Sequence, residues 1–198
     1  MKGNVLMMFA VLMMAFGIQV NGQSMSKKYK SFTVSRTLPV SAEKAWEAVA
    51  LDYGKIANAH PKIWYSGYEN GSLKGTLGAQ RRCDFNESGS RVLHEEIVDW
   101  KPESYTFVNR VLEAGGFPID PDNTRAIYKV EDLGNGSSIV SMTMQFRSKP
   151  SFMSGMLKSQ FKGLISDYLL ALEHYLSTGE VVNAKVGNFK KVKKRYTK

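Results

Sequence analysis

The residues best placed to do chemistry are Arg81, Cys83 and Glu95. In the stretch Gly78–Asn86, Arg81, Cys83 and Phe85 alternate with Arg82 and Asp84. If that stretch is a strand, Arg81 shares the apolar face with Cys83 and Phe85. In the next stretch, Arg91–Trp100, Leu93, Glu95, Ile97 and Asp99 share one face and His94, Glu96, Val98 and Trp100 the other. Apolarity alone does not say which face is inward. A buried arginine needs a partner, because an isolated buried charge is very costly. Neighbouring strands could set Glu95 against Arg81. Two readings stay open: a polar anchor for a ligand's carboxylate, hydroxyl or carbonyl inside an apolar pocket, or an ion pair that orders the sheet.

Other chemistry has less support. His94-Glu95-Glu96 is not a metalloprotease His-Glu-x-x-His, because position 98 is Val98. No Gly-x-Ser-x-Gly occurs, and Gly134-Asn135-Gly136 reads as a hairpin turn rather than a phosphate loop. One cysteine and three histidines exclude a disulfide framework and a Cys-rich zinc module and leave little for a His-built metal site. We expect no metal and no cofactor. His60, beside Pro61, is a candidate acid or base, as is Glu95. Cys83 reads as an inert core thiol. His174 falls on the polar side of the last expected helix.

Those residues need positioning elements. Phe32, Val34 and Leu38 mark a strand over 29–40. Ser41 caps a helix with Ala45, Trp46, Val49 and Ala50 on one face, Gly54 breaks it, and a second short helix runs to about Ala59. Six strand patterns follow: 63–69, 78–86, 91–100, 104–113, 124–133 and 137–147. Short turns join them, as in an antiparallel meander. The longest break, Gly115–Asn123, is long enough to be functional. A helix over about 151–178 closes the domain, with Leu157, Phe161, Leu164, Ile165, Tyr168, Leu169, Leu172 and Leu176 as its stripe. Gly155 and Gly163 lie inside it. A seven-stranded sheet is too wide for one helix to cover flat, so it must curl and leave a space suited to a ligand. Met142, Met144, Met153 and Met156 would make one adaptable wall. Phe107, Tyr105, Tyr65, Trp64 and Tyr168 could line the pocket or simply pack.

The chain of 198 residues is 43% hydrophobic and 23% charged, and is therefore a folded domain rather than a disordered one. Its net charge of +9 is unevenly placed. Residues 184–198 hold seven Lys/Arg and no acid; with Lys2 also set aside, 19 basic residues face 18 acidic ones. The basicity belongs to a tail. Residues 180–198 have no apolar periodicity and are expected to be a disordered, basic terminus with weak adhesion to an anionic membrane surface; nucleic acid is the less favoured partner. At the other end, Lys2 precedes the apolar run Val5–Ile18, shorter than the ~20 residues of a membrane span. It reads as a secretory signal over 1–22, cleaved after Gly22. The alternatives are an uncleaved anchor, or a start at Met25 that would leave the protein cytosolic.

Several segments together resemble the START/birch-pollen-allergen (SRPBCC) superfamily, in its polyketide cyclase/dehydrase and lipid-transport branch. The resemblance spans about Phe32 to Ser177. It rests on Leu38-Pro39-Val40-Ser41-Ala42-Glu43-Lys44-Ala45-Trp46, on Gly78-Ala79-Gln80-Arg81, and on Glu95 followed by Trp100-Lys101-Pro102-Glu103. Tyr105-Thr106-Phe107 and Ser138-x-Val140-x-Met142-x-x-x-Phe146 complete it. Met142 stands where the branch usually carries Trp. The resemblance implies an α+β helix-grip fold: a seven-stranded antiparallel sheet curled around a long C-terminal helix, with two short helices after the first strand. It favours Glu95 facing inward and places His60 near the pocket mouth. The domain is then 27–179, and the ligand-binding set Arg81, Phe85, Glu95, Tyr105, Phe107, Met142, Met144, Phe161 and Tyr168. It also implies an exported protein that binds a hydrophobic small molecule or lipid, or alternatively a cyclase/dehydratase-like enzyme using the same cavity.

Overall fold

The computed structural model describes residues 29–196; the expected signal segment lies outside them. Seven strands form one antiparallel sheet: β1 Lys30–Leu38, β2 Tyr65–Glu69, β3 Gln80–Asp84, β4 Val92–Lys101, β5 Thr106–Gly115, β6 Arg125–Asp132 and β7 Ser138–Phe146. Their order is β1-β7-β6-β5-β4-β3-β2. β2 to β7 follow the chain as a meander, while β1 crosses over to pair with β7. The helices are α1 Ala42–Trp46, α2 Ser154–Thr178 and α3 Phe189–Tyr196. Among the described residues no helix is long and apolar enough to cross a membrane.

The entry after β1 follows its sequence signals. The Ser41 side chain accepts from Lys44 N at the start of α1. The helix then widens into a π-helical turn, Glu47–Leu51, and the second short helix is the 3-10 segment Tyr53–Asn58. Gly54 is needed for close approach: a Cβ there would lie 2.5 Å from the Tyr68 ring.

α2 lies across the concave face and buries Leu157, Ile165, Tyr168, Leu169, Leu172 and Leu176 against the core. It stops at Gly179, whose φ of +76° suits glycine. The β4–β5 pairing carries two irregularities, an extra residue on β5 opposite the His94–Glu95 step and an extra residue on β4 between Ile97 and Asp99. A bulge adds a residue and resets the alternation of faces. Parity therefore fails beyond Ile97: Trp100 packs inward on Trp46, ring centroids 5.0 Å apart.

The C-terminal segment departs from expectation. It is not disordered. Val182 and Val192 are fully buried against Leu170 and Ala171, with Phe189 and Tyr196 alongside. His174 is likewise buried rather than solvated. Its Nδ1 meets the Tyr196 hydroxyl at 3.1 Å and its Nε2 meets Glu180 Oε2 at 2.8 Å. The segment is thus held by a small apolar cluster and a polar clasp. Replacing Val192 with Ala should cost about 2 kcal/mol, a fall in Tm of about 4–8 °C. Removing residues 184–198 should cost more. Thermal melts followed by circular dichroism check both; unchanged midpoints would mean that α3 contributes nothing to the domain.

Candidate functional site

The β3–β4 register sets Arg81 directly opposite Glu95. Both are buried and face α2. Arg81 Nε and Nη2 each donate to Glu95 Oε2 at 2.8 Å. Arg81 Nη1 donates to the Tyr53 carbonyl at 3.0 Å, and the guanidinium lies 3.9 Å over the Tyr53 ring. The other carboxylate oxygen, Glu95 Oε1, accepts from Asn109 Nδ2 on β5 at 2.8 Å. One pair therefore ties together β3, β4, β5 and the 3-10 segment. Losing one partner of such a pair is expensive, because a buried charge is left uncompensated.

This pair forms the polar end of a cavity of about 80 Å³ between the sheet and α2. Phe85, Met142, Met144, Phe161 and Tyr168 supply its apolar walls, and His60 and Cys83 line it too. Two expected residues do not. Tyr105 follows the helical turn Pro102–Ser104 with φ +46°, and its hydroxyl donates to Glu43 Oε1 at 3.1 Å. That turn removes it from the inward face. Phe107 does point inward but is sealed in the core, stacked on Tyr128 with centroids 4.5 Å apart. Of the methionines near the start of α2, Met153 packs at the edge of the core and Met156 is exposed. Tyr65 is exposed as well.

Sequence reasoning missed Phe117 and Tyr128 as lining residues. Phe117 meets the Phe85 ring at 4.9 Å from the long β5–β6 connection, whose length was the available signal. Tyr128 lies inward on β6, where alternation would have found it.

His60 is stacked on Tyr168, centroids 5.2 Å apart, and meets the edge of Phe85. Burial, with Arg81's charge adding to it, pulls its pKa down to about 3. The ring is neutral at physiological pH. Lys62 N–H donates to His60 Nδ1 at 3.2 Å, so the proton resides on Nε2. His60 is therefore a fixed hydrogen-bond donor rather than the acid or base it was a candidate for. Burial pushes the Cys83 thiol up to about 12, which leaves it inert, and likewise raises Tyr128 to about 12, so it stays protonated. Glu95 accepts hydrogen bonds on both oxygens, from Arg81 and from Asn109. Among the described residues no group of His, Cys, Asp or Glu could hold a metal.

The buried His60 sets a pH dependence. Its folded pKa of about 3 lies below the unfolded value near 6.5. Between those values only the unfolded chain takes up the proton, so stability falls as pH falls, by about 1.4 kcal/mol per pH unit well inside that window. His60→Phe should remove this term, so acidification from pH 6 to 4 should destabilise it less than wild type. Urea titrations at several pH values measure the difference; parallel pH profiles would show that His60 is not held neutral.

Comparisons with known proteins agree with this geometry. The family model described as "Polyketide cyclase / dehydrase and lipid transport" matches residues 29–177. Among solved structures, the protein XoxI from Bacillus cereus has a TM-score of 0.61 at 20% identity, covering 75% of this chain and 96% of that one. Ara h 8.0201 gives 0.55 at 19% identity, covering 76% and 99%. The di-domain ARO/CYC BexL from the BE-7585A biosynthetic pathway gives 0.61 at 10% identity, covering 75% and 46%. At such identities the likeness is one of fold. None of the curated proteins matches the chain significantly. With a family model spanning most of its length and a sheet that grips a long C-terminal helix, the chain belongs to the polyketide cyclase/dehydrase and lipid transport family.

Proposed function

We propose that this is an exported binding protein for a hydrophobic small molecule or lipid, held between the sheet and α2. The observation that carries the reading is the cavity itself: apolar walls of Met142, Met144, Phe85 and Phe161 around one neutralised polar pair. Export is supported by the signal pattern over residues 1–22. The geometry favours holding over converting. Glu95 is spent on Arg81 and Asn109, and His60 offers a donor but no titration near neutral pH. A cyclase or dehydratase needs a group that gives and takes a proton.

At about 80 Å³ the cavity is smaller than the ~150 Å³ that holds benzene and the ~300–1,000 Å³ of typical ligand sites. A ligand must therefore enlarge it. Methionine is suited to this, with three rotatable bonds and no branching. The N-terminal half of α2 is suited as well. Between Leu157 and Ile165 it buries no residue fully. A Cβ at Gly155 or Gly163 would meet nothing within 4 Å, so neither glycine serves packing, and each weakens the helix by ~1 kcal/mol relative to Ala.

α3 adds a means of attachment. Its apolar side is used up on α2, and Lys190, Lys191 and Lys194 are exposed. Contact with an anionic membrane would be electrostatic, at ~1 kcal/mol per basic residue. Replacing these three lysines with Gln should weaken low-salt binding to phosphatidylglycerol vesicles about a hundredfold and leave Tm unchanged. A full-length protein that ignores such vesicles would remove this part of the reading.

Native mass spectrometry of protein exported by cells expressing the full chain tests the rest. The expected spectrum shows a chain starting at Gln23 with a lipophilic adduct of defined mass that is lost on denaturation. A ligand-free chain that also fails to bind any lipophilic probe would overturn the binding reading. A chain retaining residues 1–22 would overturn cleavage.

A further inference from the structure

The polar inventory of the cavity says what kind of hydrophobic molecule fits; this inference rests on the binding reading above. Among the described residues, the one cation that lines the cavity, Arg81, is already committed. Its Nε and Nη2 go to Glu95, its Nη1 goes to the Tyr53 carbonyl, and one face is covered by the Tyr53 ring. Three of the guanidinium's five N–H donors are thus spent within the protein. Its charge is cancelled by Glu95 on the same wall. An incoming carboxylate would meet no free cation, and its nearest charged oxygen would be another carboxylate. Burying an unpaired anion there is strongly unfavourable.

The groups still available are donors. His60 Nδ1 is occupied by the Lys62 amide, which leaves Nε2–H on the opposite edge of the ring with no partner among the described residues. The Tyr128 hydroxyl lines the cavity and, with its pKa pushed up to about 12 by burial, keeps its proton to give. The Tyr168 hydroxyl has no partner among the described residues, and its ring stacks on His60. Three neutral donors set in an apolar wall call for an acceptor oxygen without charge.

We propose that the cavity selects uncharged hydrophobic molecules bearing a carbonyl or hydroxyl oxygen, such as long-chain ketones, esters or alcohols, and rejects the corresponding carboxylates, with His60 Nε2–H as the donor that reads the oxygen. Arg81 is then a structural cation and not the ligand's counter-ion.

Displacement of a fluorescent lipophilic probe from the full mature protein tests this with a medium-chain alkan-2-one, the alkane and the fatty acid of the same chain length. The expected order at pH 7.5 is ketone tightest, then alkane, with the carboxylate about ten- to hundredfold weaker than the ketone, the range set by leaving a buried polar group unpaired. His60→Phe keeps an aromatic ring on Tyr168 and should lower the ratio of ketone to alkane affinity about tenfold. Glu95→Gln, where it folds, should free Arg81 and narrow the gap between carboxylate and ketone. A wild-type protein that binds the carboxylate as tightly as the ketone overturns the selectivity and leaves the binding reading standing. A His60→Phe effect equal for ketone and alkane overturns the role of Nε2–H. Failure of all three ligands to displace a bound probe overturns the proposed selectivity and leaves the binding reading standing.

Discussion

The buried Arg81–Glu95 pair is the constraint on which the rest of the site depends. It joins strands adjacent in the sheet, and through Tyr53 and Asn109 it fixes the 3-10 segment and β5 to the same point. Removing two charges from water is costly, and the return comes only when every lone pair and N–H is met. Here almost all are, which explains why a curled sheet can tolerate charge beneath its helix. The same completeness makes the pair a poor catalyst and a poor counter-ion. It sets one end of the cavity polar but neutral, and the choice of ligand then falls to His60, Tyr128 and Tyr168.

What surrounds that pair is soft. Met142, Met144 and Phe161 are half-buried, and α2 carries two glycines where nothing would obstruct a side chain. Rigid polar end and adaptable apolar walls are a consistent division of labour for a binding site that is small when empty. The C-terminal half of α2 cannot share that mobility, since Leu169, Leu172 and Leu176 face the core while Leu170 and Ala171 hold α3 on the other side.

Much of this was legible in the sequence. Alternation and turn residues placed all seven strands, and the need to pair a buried arginine pointed from Arg81 to Glu95. The misses have physical causes. The bulge after Ile97 reset parity and hid the inward turn of Trp100. The left-handed Tyr105 left its strand face for the same kind of local reason. α3 was obscured because Lys190, Lys191, Lys193, Lys194 and Arg195 dominate its composition, although Phe189, Val192 and Tyr196 fall at helical spacing. His174 falls on the polar side of α2 by its spacing, yet that side is covered there, because its partners Tyr196 and Glu180 come from that hidden segment. The tautomer of His60 depends on a backbone amide two residues away, a contact that no spacing rule anticipates.

The central claim is that a lipophilic ligand occupies the space under α2 and does so by moving its methionine wall. Methionine-methyl NMR during titration with an alkan-2-one tests it most directly. The account predicts large shifts at Met142 and Met144, which line the cavity, and little change at the exposed Met156. Saturable binding with Met142 and Met144 unmoved would contradict it.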